Sequence, residues 1–158
     1  MRKPFVILAL VVVAAATPLA VLAATGRFSS QLDQQRYKFR DTAVSTSSTA
    51  WRTVPGLDDI HICSDHEVSA TLSVNLRGAP ARFRVLVDQA GSMEPGSARF
   101  VPNGEESFSY TFAGPTGPFE ANDNHVVDVQ WRSPTGQAVT LVLGGVNLLY
   151  EQGTLQCP

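Results

Sequence analysis

From Asn124 to Ser133 the chain reads NHVVDVQWRS, with His125, Val127, Val129 and Trp131 on one side of an extended backbone. Val126, Asp128, Gln130 and Arg132 fall on the other side. Strict alternation of this kind belongs to a half-buried antiparallel strand. Val68 to Leu76 repeats it, with Val68, Ala70, Leu72, Val74 and Leu76 against Ser69, Thr71, Ser73 and Asn75. After the turn Gly78-Ala79-Pro80, positions Ala81, Phe83, Val85 and Val87 oppose Arg82, Arg84, Leu86 and Asp88. Phe108, Tyr110 and Phe112 alternate with Ser107, Ser109 and Thr111. Shorter strands are predicted at Asp59–Ser64 and Ala98–Val101, and Val44, Trp51 and Val54 predict one strand or a bent pair. Gln137–Leu143 and Val146–Gln152 are predicted as two final strands separated by Gly144-Gly145. Short strands punctuated by Gly and Pro turns define an all-β chain. The expected fold is a single antiparallel β-sandwich, jelly-roll-like, of about eight strands over residues 42–158.

The first 40 residues follow different rules. Arg2 and Lys3 precede an apolar run from Phe5 to Ala16, then Pro18 and small residues at Val21 and Ala23. That is the layout of a secretory signal, with cleavage expected after Ala23. The competing reading is an uncleaved anchor over Phe5–Ala24, long enough to span a bilayer. Residues 24–41 hold Phe28, Leu32, Tyr37 and Phe39 at irregular spacing among polar groups, and are expected to form a linker or stalk.

Of the 158 residues, about 135 would remain after cleavage, enough for one domain. A net charge of −2 and a pI near 5.9 offer no footprint for nucleic acid and no polybasic membrane patch. Membrane contact is therefore expected only through the N-terminal segment, if it is retained. Two cysteines, Cys63 and Cys157, suit an oxidising compartment. A bridge between them would close a loop of about 95 residues, worth up to roughly 4.7 kcal/mol in the chain-entropy model. Two free thiols, or pairing to another chain, are the alternatives.

Five segments carry a resemblance: WRTVPGL (Trp51–Leu57), FRVLVD (Phe83–Asp88), EPG (Glu94–Gly96), FSYTF (Phe108–Phe112) and HVVDVQW (His125–Trp131). In this order they resemble a β-sandwich domain of secreted bacterial proteins of unknown function. They are also similar to the compact jelly rolls of the C1q and tumour-necrosis-factor type. Where such domains place a Gly before the tryptophan strand, this chain has Asp123-Asn124. The resemblance implies a trimeric or binding module and no catalytic residues.

Candidate chemistry is sparse. His61, Cys63, Asp65 and Glu67 share one face of a straight strand and carry transition-metal ligand types. A cysteine committed to a disulfide cannot ligate, however, and Ser64-Asp65-His66 reads as a turn. Those three have the letters of a hydrolase triad, but adjacent side chains diverge where a triad must converge. His125, beside Asp123, has the side chain that titrates near neutrality. Glu120, Asp123 and Asp128, with Asn122 and Asn124, offer oxygen ligands for calcium across 120–128, without the D-x-D-x-D-G order. Trp51 and Trp131 both fit core positions. For each of these the structural role is preferred over the chemical one.

One stretch exceeds that. Gln137–Tyr150 is apolar on both faces, as a covered central strand or a subunit contact would be. The expected protein is thus a non-catalytic, secreted or surface-tethered module without cofactor or resident metal. Its partner would be an extracellular protein or glycan; the apolar stretch points to a homo-oligomer, and the resemblance implies that it is a homotrimer. The alternative is a carbohydrate-binding accessory domain, which requires aromatic side chains on solvent-facing strand positions.

Overall fold

The computed structural model describes residues 33–64, 68–89, 91–114 and 124–151. Among them are eleven strands and no helix: β1 (Asp33–Arg40), β2 (Val44–Thr46), β3 (Arg52–Thr53), β4 (Ile60–Cys63), β5 (Val68–Gly78), β6 (Ala81–Val87), β7 (Gly91–Ser92), β8 (Ala98–Phe100), β9 (Glu105–Gly114), β10 (Asn124–Arg132) and β11 (Val139–Glu151). They form a five-stranded sheet and a six-stranded sheet, antiparallel at every pairing.

The eleven segments fill eight lanes. Strands β1 and β2 lie end to end along β11, β3 and β4 along β10, and β7 and β8 along β6. Numbered along the chain, one sheet carries the first, eighth, third and sixth lanes. The other carries the second, seventh, fourth and fifth. That is the strand order of a jelly roll, two interleaved Greek keys, with one connection staying in its sheet and the rest crossing over. The fold class expected from the alternation is the one observed.

The core lies between the sheets. Every apolar residue on the dry side of β5 and β6 is buried, and so are His125, Val127, Val129 and Trp131 of β10. An aromatic chain joins the layers: Trp131 to Phe83 at 5.8 Å, Phe83 to Phe100 at 5.7 Å, and Phe100 of β8 to Phe108 of β9 at 5.1 Å. Edge-to-face and tilted ring pairs at these separations add to simple burial.

Three expectations are corrected. Residues 33–40 of the expected linker are strand β1, paired along its whole length with β11 from Gly144 to Glu151. Its pattern is inverted: Tyr37 and Phe39 point to solvent, while Lys38 and Arg40 sit opposite inward-facing Val146 and Gly144. At the sandwich edge Lys38 donates to the Asp58 carbonyl and Arg40 Nη1 to the Pro55 carbonyl, while Arg40 Nε is buried without a hydrogen-bond partner. Secondly, Gly144-Gly145 does not separate two strands. Strand β11 runs through them, and the irregularity is a bulge between Leu141 and Leu143. The extra residue turns Leu143 away from the Leu141 side and out to solvent. Thirdly, Trp51 is not a core residue, as described below. Residues 1–32, including the expected signal or anchor and the start of the linker, lie outside the described residues. Among the described residues no helix is long and apolar enough to cross a membrane.

Candidate functional site

The outer face of the five-stranded sheet is chemically distinctive. Register places Thr71 beside Thr111 and Asn147, and Ser73 beside Ser109 and Gly145. The Thr71 and Thr111 hydroxyls are 3.0 Å apart, Ser73 and Ser109 3.3 Å, and Ser45 and Thr140 2.8 Å. Gln35 donates its amide to Asn147 Oδ1 at 2.8 Å. Onto this field of hydroxyls and amides β1 adds two aromatic rings, Tyr37 at 64% and Phe39 at 51% exposure. Their planes are within 17° of parallel with centroids 6.3 Å apart. Leu143 (42% exposed) and Leu149 (45% exposed) share the face on β11.

Gly145 makes room for the ring pair. A Cβ there would stand 2.8 Å from the Tyr37 hydroxyl and 3.1 Å from its Cζ. The far end of Tyr37 therefore lies over the glycine, and the strand's Gly-Gly pair, a break by sequence, is a seat for an aromatic ring. The sequence does not reveal this pair, because Tyr37 and Phe39 are aromatic positions among polar and charged groups with no dry face of their own. The available signal was the alternation of RYKFR itself, with cations at every second position.

A second cluster surrounds His125. Its ring is buried, and Nδ1 lies 2.6 Å from Asp88 Oδ2. The other Asp88 oxygen accepts the Val126 backbone N–H at 2.8 Å, and the Asp88 N–H donates to the Val126 carbonyl. Asp88 holds a left-handed backbone (φ 52°), which Asp tolerates better than most residues. The pair thus fastens the end of β6 to the start of β10. Asp88→Ala is expected to cost about 2–3 kcal/mol, from a buried partner lost and a strained φ, and Asp88→Asn about 1 kcal/mol or less. Urea unfolding of both variants measures the difference; equal losses would contradict the assigned role.

On the outer face of the six-stranded sheet, Trp51 is half-buried under two cations. The Arg84 and Arg132 guanidinium carbons lie 4.5 and 4.7 Å from its ring centroid. Gln130 Oε1 accepts from Arg84 Nε at 3.0 Å and Nη2 at 2.7 Å. Burial, and then the neighbouring Arg132, lower the Arg84 pKa from its ordinary value. Trp51 therefore packs on the outside of the sheet, whereas Trp131 fills the inside.

The remaining candidates disperse. His61 faces Asp59 at 3.1 Å on an exposed edge. Cys63 is disulfide-bonded rather than a free thiol; Cys157 lies outside the described residues. Ser64 is buried, and Asp65, His66 and Glu67 are also outside the described residues. So are Glu120, Asn122 and Asp123 of the acidic segment. Its remaining carboxylate, Asp128, is buried and accepts the Asp59 backbone N–H at 2.8 Å. Among the described residues no group of three His, Cys, Asp or Glu side chains converges as metal ligands would. No family model matches the chain, and no curated protein matches it in sequence.

Proposed function

We propose that this chain is a non-catalytic jelly-roll binding module working outside the cytoplasm, and that a glycan occupies the outer face of its five-stranded sheet. The observation that carries this is the exposed, near-parallel Tyr37–Phe39 pair set among serine, threonine, asparagine and glutamine side chains. A pyranose ring is amphipathic in the same way: its C–H face packs on an aromatic ring, and its hydroxyls exchange hydrogen bonds with hydroxyls and amides. A disulfide-bonded Cys63 and the signal-like residues 1–23 support an exported protein. Pairing of Cys63 with Cys157 belongs to the same proposal, and the intact mass of exported protein tests both cleavage after Ala23 and the bridge.

The binding test is a titration against soluble neutral cell-wall polysaccharides. Tyr37→Ala/Phe39→Ala is expected to weaken binding at least about tenfold without a large fall in stability, since both rings are mainly solvated. Gly145→Ala should also weaken it, because the new methyl displaces the Tyr37 hydroxyl end while leaving the strand intact. Binding unchanged in both variants would remove the glycan from this face.

Self-assembly is the second reading, favoured by Leu143 and Leu149 on the same surface. A homotrimer, as in the C1q-like domains the chain resembles, would bury them. Light scattering at micromolar concentration decides: a trimer dispersed by Leu143→Ser/Leu149→Ser supports assembly, and a monomer removes it.

A further inference from the structure

We propose that the outer face of the six-stranded sheet is a separate site for an acidic polysaccharide, one bearing sulfate or carboxylate groups, bound along a row of arginines. Register sets Arg132 of β10 opposite Arg82 of β6, and Arg82 opposite Arg99 of β8. Their chain neighbours Trp131, Ala81, Phe83, Ala98 and Phe100 are all buried, so the three arginines point outward together. Arg84 is diagonal to Arg132 across Trp51. Four of the chain's 12 lysines and arginines thus gather on one small surface of a protein whose net charge is −2.

Packing on Trp51 accounts for Arg84 and Arg132, but among the described residues no contact accounts for Arg82 and Arg99. Like charges directly opposite on neighbouring strands are destabilising. Among the described residues no carboxylate is in ion-pair range of any of the four, since the pairs formed are His61–Asp59 and His125–Asp88. Arg132 Nε is buried without a hydrogen-bond partner. Arg84 and Arg132 are held against Trp51, whereas Arg82 and Arg99 make no side-chain hydrogen bond among the described residues.

Geometry selects the ligand class. Adjacent strands are about 4.8 Å apart, so the three-strand row spans about 10 Å in a line. Guanidinium forks at that interval suit successive anionic groups on a linear polymer, each held by paired N–H donors. A bilayer fits less well, because among the described residues the one exposed large hydrophobic side chain beside this sheet is Val101, just past the end of β8. A single-stranded nucleic acid would need a free aromatic platform for its bases, and both cations already occupy Trp51.

The test uses the full chain with dextran sulfate, polygalacturonate and neutral dextran at about 0.15 M salt. Native protein is expected to bind at least one acidic polymer, with affinity falling as salt rises, and to ignore dextran. Arg82→Gln/Arg99→Gln should bind at least tenfold more weakly, with a melting temperature equal to or above that of the native chain. Arg82→Lys/Arg99→Lys, which keeps charge and loses the fork, should fall between. Failure of native protein to bind either acidic polymer, or equal binding by the Gln variant, would overturn the proposal. So would tighter binding to phosphatidylglycerol vesicles or single-stranded DNA, or a lowered melting temperature in the Gln variant, which would assign the row to folding. The site is independent of the Tyr37–Phe39 face, and Tyr37→Ala/Phe39→Ala should retain acidic-polymer binding.

Discussion

Trp131→Ala is expected to remove about 3–5 kcal/mol of unfolding free energy, a large part of what a domain of this size holds. The indole is 2% exposed and sits at the head of the ring chain through Phe83 and Phe100 to Phe108. That chain crosses from the six-stranded to the five-stranded sheet, so the cavity left by truncation would open where the two layers interlock. Backbone held in strands cannot collapse to fill it. Trp51→Ala makes the comparison: that ring is on the outer surface under Arg84 and Arg132, and its loss should cost about 1–2 kcal/mol. Urea unfolding followed by far-ultraviolet circular dichroism measures both without relying on tryptophan emission. Equal losses for the two tryptophans would show that the core is not organised around Trp131.

These two residues also mark where sequence reading stops. Period-two alternation identifies strands whose two faces differ, and β5, β6 and β10 were legible for that reason. It cannot say what covers the outer face. Trp51 reads as a core residue because a large ring is generally buried by apolar neighbours, whereas here two guanidinium groups cover it. Strand β1 escapes the alternation rule for the opposite reason. Its aromatic positions face water, and its cations face in at an edge where the Asp58 and Pro55 carbonyls receive them. The bulge in β11 was unreadable from a Gly-Gly pair, which signals a break as readily as a close approach of Tyr37. The candidate surfaces lie deeper still. Arg82, Arg99 and Arg132 come from three strands far apart in sequence, and only pairing register places them in a row. The same holds for the hydroxyl pairs of β5 and β9. Side-chain chemistry was visible residue by residue; its convergence depends on lane order, which crosses between sheets at almost every connection.

Gly78→Ala should be the most damaging conservative change, costing about 2–4 kcal/mol. Gly78 ends β5 where the chain leaves the five-stranded sheet for the six-stranded one, and its φ is +96°, a region that side chains avoid. A methyl group there would meet the Ala138 carbonyl oxygen at 2.7 Å. That oxygen cannot retreat freely. It accepts the Ala79 N–H at 3.1 Å, and the next residue, Val139, is already paired with Gly78 in the ladder. Relief would have to come from breaking the crossover hydrogen bond or lifting the start of β11, and β11 is the strand that joins β5 to both β1 and β2. Gly96→Ala separates the two sources of damage. Its φ is +79°, but among the described residues nothing lies within 4 Å of the added carbon, so it carries backbone strain alone, about 1 kcal/mol. Matched urea titrations should place Gly78→Ala well below Gly96→Ala. Coincident curves would mean that the crossover relaxes around the methyl, and that Gly78 is needed only for its dihedral angle.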